Sequence, residues 1–225
     1  MTAAGRRGAR LARRMPRLPT PRYARSGMPR GRPRTFDTDD ALDAAMRLFW
    51  RAGARDTTTR DLERELGLGQ SSITAAFGSK ADLLDASLGR YLDLLTAELI
   101  VPLRDAPDGL GAIGRFLERL GEWHRAEGGR GCMVGRLMCE GPPQEPRIAD
   151  RVGAYRAALR QALGAALARA AAAGEIPGGD LERRGDLVVA VVLGMNLALQ
   201  AGDDDAAHRA IAEAGRAQVA AWRAS

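Results

Sequence analysis

Lysine is almost missing from this chain of 225 residues: Lys80 is the only one. Cysteine and histidine occur twice each, and aromatic residues make up 4%. Each shortage excludes something. Two cysteines cannot build a disulfide framework, and no Cys or His spacing matches a closed zinc pattern. With two histidines, no Gly-rich phosphate loop after a strand pattern and no nucleophile elbow, the chain carries no catalytic constellation, so an enzyme is not expected. No apolar run reaches the length of a membrane-spanning helix. The arginine pairs at 6–7 and 13–14 are not followed by an apolar stretch of signal-peptide length, which argues against an export signal. These absences predict a soluble, cytoplasmic protein with no cofactor, no metal and no membrane partner.

What is present is alanine, arginine and a hydrophobic content of 45%, enough for a real core. The Ala and Arg excess reads as genome base composition. The formal charge of +6 is unevenly placed. Residues 1–34 hold eleven Arg and no acid, so the remainder is net acidic by about five charges. An arginine tail without apolar periodicity is expected to be disordered alone and drawn to phosphate. Arg30, Arg32 and Arg34 bracket Pro33 just ahead of the first helical pattern, where an arm reaches a minor groove. Met28 opens MPRGRPRTFD and reads as an alternative start of translation.

The most informative stretch is TTTRDLERELGLGQSSITAAFGSK, Thr57 to Lys80. Thr58 with Asp61 three residues on has capping-box spacing. Leu62 and Leu66 then share one face, and Gly67 suits a left-handed helix end. Gln70 to Phe77 forms a second short helix with Ile73 and Phe77 buried. Gln70, Ser71, Thr74 and Ala75 are left outward, small or amide-bearing, as a helix entering a major groove requires. Ser79 caps the next helix and Lys80 sits in its first turn, where side chain and helix terminus share a phosphate. A preceding helix carries Leu42, Ala45, Met46 and Phe49 on one stripe behind the caps of Asp37 to Asp39, and Gly53 stops it. This is the pattern of a helix-turn-helix DNA reader.

These residues resemble the TetR family of transcriptional repressors. The similarity runs from Gly31 to Tyr91. The segment GCMVGRLMCE, Gly131 to Glu140, is similar to the Gly-Cys helix start of one branch of that family's C-terminal domain. The Gly-Glu-Ile-Pro at 174–177 fits the same branch. The resemblance implies an all-α homodimer that binds a palindromic double-stranded DNA operator and is released by a small-molecule inducer. By position it places Thr57, Thr58, Arg60 and Lys80 on the DNA backbone, beside the arm arginines Arg32 and Arg34. It places Gln70, Ser71, Ser72, Thr74 and Ala75 on the recognition helix. Thr74 stands where the family most often has Tyr. Gly69 stands where a capping Ser or Thr is common, a loss of about a few tenths of a kcal/mol.

The expected organisation is a basic arm over 1–34, a helix-turn-helix domain over 35–82 and a regulatory and dimerisation domain over 83–225. In the last, Lys80 to Val101 reads as one amphipathic helix limited by Pro102, a lever shared by both domains. Leu110 to Glu127, Cys132 to Glu140 and Arg147 to Ala173 are further helices. Leu187 to Leu199 is apolar nearly all round, which predicts burial on several sides. In the family's architecture it pairs with Ala206 to Arg223 as half of a four-helix dimer seam. Tyr91, Phe116, Trp123, His124, Met133 and Met138 are candidate walls of a ligand pocket. Cys132 and Cys139, two turns apart, would share a helix face at about 10 Å, too far for a disulfide. With His124 and the methionines they suggest a thiol- or soft-metal-responsive alternative. A nonspecific Arg-tail DNA binder is the other alternative.

Overall fold

The computed structural model describes residues 36–125, 131–141, 145–202 and 204–224. The arm, with Arg32 and Arg34, lies outside the described residues. Among those described, all regular structure is helical, so the fold is all-α. Three short helices come first: α1 Thr38–Ala52, α2 Thr59–Leu66 and α3 Gln70–Phe77. Asp37 caps α1 through the backbone N–H groups of Asp39 and Asp40. Thr58 and Asp61 form the expected capping box on α2, which Gly67 ends at φ 65°, ψ 24° in the left-handed region. Ala45, Met46, Phe49, Leu62 and Ile73 are buried between them.

Helix α4, Lys80–Leu95, starts from a second capping box of Ser79 and Asp82. It does not stop at Pro102. A π-helical turn at Thr96–Ile100 leads into α5, Val101–Asp105, with Pro102 in its first turn. The wider turn resets the hydrogen-bond ladder, so the proline falls where its missing N–H costs least. The body continues with α6 Leu110–Arg125, α7 Met133–Cys139, α8 Pro146–Ala172, α9 Leu181–Gln200 and α10 Asp205–Ala221. Helix α9 is not enclosed by its own chain: Leu187, Leu193 and Leu197 are 43%, 44% and 59% exposed. Cys132 is the non-helical N-cap of α7 rather than its first residue. It is buried while Cys139 is exposed, so the two thiols do not share one environment.

The N-terminal helices are fixed to the body by an aromatic cluster. Trp50 of α1, Tyr91 of α4 and Trp123 of α6 pack with ring centroids 5.1–5.9 Å apart. The Tyr91 hydroxyl is saturated. It accepts from Trp123 Nε1 at 2.9 Å and from the Met133 backbone N–H at 3.2 Å, and donates to Cys132 Sγ at 3.3 Å. Trp50 Nε1 donates to the Gly131 carbonyl at 2.7 Å. Arg136 of α7 donates to the Ala52 carbonyl, and Glu140 accepts from the N–H groups of Ala54 and Arg55. Deeper in the body, His124 of α6 and His208 of α10 are fully buried, with Nδ1 and Nε2 3.1 Å apart.

Two measurements test this packing. Tyr91→Phe strands two buried donors, Met133 N–H and Trp123 Nε1. At about 1–3 kcal/mol each, it should lower stability by roughly 2–6 kcal/mol. In urea unfolding the midpoint should fall at unchanged slope. The histidine pair predicts a pH effect. Burial lowers His124 from its ordinary 6.5 to about 3, and His208 is also lowered, first by burial. The unfolded chain takes up protons below pH 6.5 that the fold refuses. The pair's contribution is therefore complete above pH 6.5 and is lost as pH falls toward about 3. Calorimetry should show a Tm that is level above pH 6.5 and declines below it. A Tm constant down to roughly pH 4.5 would contradict a dry, neutral pair.

Candidate nucleic-acid interface and ligand cavity

Helix α3 is two turns long, with Ile73 buried and Phe77 half-buried beneath it. That anchoring turns Gln70, Ser71, Ser72, Thr74 and Ala75 to solvent on one exposed surface. Gly69 supplies no side-chain cap. Glu63 of α2 replaces it, its Oε1 accepting from the Gln70 backbone N–H at 2.8 Å. This role of Glu63 is not among the sequence expectations. A cap supplied from the preceding helix has no local spacing signature, which is why it went unseen. Beside this surface Thr58, Arg60 and Lys80 are exposed at the starts of α2 and α4. Thr57 departs from expectation: it is 1% exposed and its hydroxyl donates to the Gly53 carbonyl. Its side chain is spent inside the turn after α1 and is not on the outer surface.

Lys80 opens a helix whose first turn is electrostatically set. The Ser79 hydroxyl and backbone N–H, then Arg147, hold the Asp82 carboxyl down at about 2. Arg147 Nη2 reaches Asp82 Oδ1 at 2.8 Å, and Arg151 grips Asp85 at 2.7 and 3.2 Å. Both arginines belong to α8. One and two turns further along the same stripe of α8 come Tyr155 and Leu159, both buried.

Those two residues line a cavity of about 40 Å³ walled by α6, α7, α8 and α9. Leu120, Val134, Met138, Val189 and Val192 supply apolar wall, and Arg156 and Arg160 stand at its edge on α8. Of the expected pocket residues, His124 and Met138 line it. Tyr91, Phe116, Trp123 and Met133 are interior packing instead. Sequence reasoning missed Tyr155 and Asn196 as lining residues. Tyr155 sits on an apolar stripe and reads as plain core. Asn196 is a lone polar residue in an apolar stretch of helix, with no local signal of a lining role. His124 Nε2 has no hydrogen-bond partner, whereas Asn196 Oδ1 accepts from the Cys132 N–H at 2.7 Å. Burial pushes the Cys132 thiol up, and burial first and then the neighbouring Cys132 raise Tyr91, so both stay protonated. A buried, protonated thiol is a poor nucleophile and metal ligand. Among the described residues no cluster of three His, Cys, Asp or Glu could hold a metal ion. No described helix is long and apolar enough to cross a membrane.

Comparison with known proteins agrees with this geometry. Residues 41–87 match the family model of bacterial regulatory proteins of the tetR family, and residues 109–214 match a tetracyclin repressor-like C-terminal domain. The chain is similar to the HTH-type transcriptional repressor ComR of Escherichia coli strain K12, 44% identical over 69 residues, 31% of this chain and 33% of that protein. It is also similar to the repressor BdcR of the same strain, 34% identical over 120 residues, 53% of this chain and 61% of that one. These matches thus span a third and three fifths of the relatives' own lengths. A cysteine mutant of the TetR family transcriptional regulator CifR, complexed with 26-base-pair double-strand operator DNA, superposes with a TM-score of 0.73 at 25% identity. That match covers 83% of this chain and 98% of the other. With both of its halves matched and the fold shared along its length, the chain belongs to the tetR family of bacterial regulatory proteins, DNA-binding transcription regulators rather than enzymes.

Proposed function

We propose that this protein is a cytoplasmic, homodimeric repressor that binds a palindromic operator and is released from it by a small ligand. The observation that carries the reading is the exposed surface of α3. Gln70, Ser71, Ser72, Thr74 and Ala75 face outward over a buried Ile73, with Thr58, Arg60 and Lys80 beside them. Gln bonds adenine in the major groove, and the Thr and Ala methyls suit a thymine methyl. Lys80 and the N-terminus of α4 hold phosphate. The arm residues Arg32 and Arg34 add minor-groove contacts in this reading. The division into an arm over 1–34, a reader over 35–82 and a regulatory body over 83–225 belongs to the same proposal.

Dimerisation is supported by the two final helices. Leu187, Ala190, Leu193 and Leu197 are exposed along one stripe of α9. Helix α10 exposes Ala206, Ala210, Ala214, Ala217 and Ala221 at intervals of three and four. Bulky apolar side chains beside a stripe of small ones suit close helix packing, and a monomer rarely leaves such a patch to water. Two readers held this way meet half-sites about 34–36 Å apart, so a small movement of either breaks the register. Release is supported by α8, which lines the cavity with Tyr155 and Leu159 and holds the first turns of α4 through Arg147 and Arg151.

A gel shift and footprint on DNA from upstream of the protein's own gene, at physiological salt with competitor, tests the whole reading. A discrete shift protecting a palindrome supports it. Binding only at low salt, without sequence preference and only with residues 1–27 present, would instead mean tail-driven association. Lys80→Ala should weaken binding to every sequence and reduce the salt slope by about one, whereas Gln70→Ala should relax preference at one base pair at a cost of about 1–3 kcal/mol. Identical behaviour of the two variants would contradict this division of roles. Leu193→Glu with Leu197→Glu should sediment as a folded monomer and lose the footprint. A double variant that remains dimeric would place the seam elsewhere.

A further inference from the structure

Helix α3 is reached along a chain that does little to fix it. Gly67 and Gly69 precede it, and a Cβ added at either would meet nothing within 4 Å. Glycine leaves the backbone its widest freedom, and Gly69 as N-cap offers no side-chain bond. Within the helix only Ile73 is fully buried. One buried side chain pins a two-turn helix at a point and leaves its direction open. Glu63 of α2 supplies the missing constraint. Its carbonyl accepts from the N–H of Gly67 and, at 3.3 Å, from that of Leu68. Its carboxylate crosses the turn to the Gln70 N–H at 2.8 Å. Among the described residues, no other side chain hydrogen-bonds the backbone of α3. Glu63 is half-buried, whereas its neighbours Arg64 and Glu65 are exposed.

Resting on the reading of α3 as the base-reading helix, we propose that Glu63 is a positioning residue for operator recognition: its bond to Gln70 fixes the direction of α3 against α2, and sequence preference depends on it. Gln70 is the residue that bonds adenine in that reading, so the tether holds the backbone of a base-contacting residue. Base-edge hydrogen bonds need their donors and acceptors held to about 0.5 Å and 10–20°. Phosphate contacts carry no sequence information and are made from other elements, by Arg60 and Lys80. Loss of the tether therefore lowers preference more than total affinity. A carboxylate this near the reading surface also repels phosphate. Charge and reach thus make different predictions, and two substitutions separate them.

Glu63→Asp keeps the charge and withdraws the acceptor by one methylene. Glu63→Gln keeps the reach and an acceptor oxygen but removes the charge. The full-length parent chain first selects a duplex from a randomised library, and every variant is then measured on that duplex and on a scrambled one. Glu63→Asp should cut the ratio of the two affinities about tenfold, the low end of what a hydrogen bond to a charged group is worth, while affinity for the scrambled duplex holds. Glu63→Gln should keep the ratio and bind both duplexes more tightly. Adding Gly69→Ser to Glu63→Asp caps α3 from its own chain, on a backbone at φ −71°, ψ 155° that suits a cap. That double variant should raise the thermal midpoint without restoring the ratio. Three results would overturn the proposal: a ratio kept by Glu63→Asp and lost in Glu63→Gln, a ratio unchanged in both Glu63→Asp and Glu63→Ala, or a ratio restored by Gly69→Ser, which would reduce Glu63 to a helix cap. A parent chain that selects no sequence would overturn the reading of α3 as well. A parent preference that Glu63→Ala retains would remove this inference alone.

Discussion

Helix α7 exists because its first two backbone donors are taken by side chains from distant parts of the chain. Seven residues are too few for a helix to hold itself in water, and its N-cap, Cys132, makes no side-chain cap bond. Asn196 of α9 accepts from Cys132 N–H, and the Tyr91 hydroxyl of α4 accepts from Met133 N–H. The approach is so close that a Cβ at Gly135 would lie 2.0 Å from Asn196 Nδ2. Gly131, at φ +77°, makes the left-handed turn that delivers the chain to this point. The Gly-Cys start noted in the sequence is thus a backbone requirement: the glycines admit Asn196, and the cysteine fills the space beneath Tyr91.

Once placed, α7 connects three otherwise separate parts. Its inner face lines the cavity with Val134, Gly135 and Met138. Its N-terminus rests on α9, whose outer stripe is the exposed apolar one. Its C-terminus holds the N-terminal helices, with Arg136 on the Ala52 carbonyl and Glu140 on two N–H groups of the following turn. Charge-assisted bonds of this kind are directional, so a displaced α7 carries α1 with it. Helix α8 supplies a second connection through Arg147 and Arg151 to α4. The connection expected from sequence was α4 alone. The structure adds contacts to the N-terminal helices from α7 and α8, both of which line the cavity.

Much of this was legible in the sequence, for a physical reason. Caps, turns and apolar periodicity act over three or four residues, so Thr58 with Asp61, Gly67, Ile73 with Phe77, and Ser79 with Asp82 state their roles locally. Long-range partnership does not. Glu63 caps α3 from seven residues away, Thr57 turns inward to Gly53, and Asn196 serves a helix 64 residues earlier. Pro102 misled because its usual effect assumes an unbroken α-ladder, and the π turn before it breaks that ladder first. For the cavity, residue type predicted apolar content but not concavity, so Trp123 and His124, adjacent in sequence, looked equivalent.

Their difference separates scaffold from site. Trp123 Nε1 is bonded, and the network it joins, from Trp50 through Tyr91 to Cys132 and Met133, uses every donor and lone pair of the Tyr91 hydroxyl. A fully satisfied buried network is rigid and specifies one packing. One residue on, His124 has one ring nitrogen on His208 and the other buried without a partner. Desolvation there is uncompensated, which a purely structural position would be expected to avoid by carrying an apolar residue. The two histidines retain a cost that the bonded aromatic network beside them does not share. The satisfied network beside them fixes α4, α6 and α7 against one another, so the pair has no repacking of those helices through which to shed that cost.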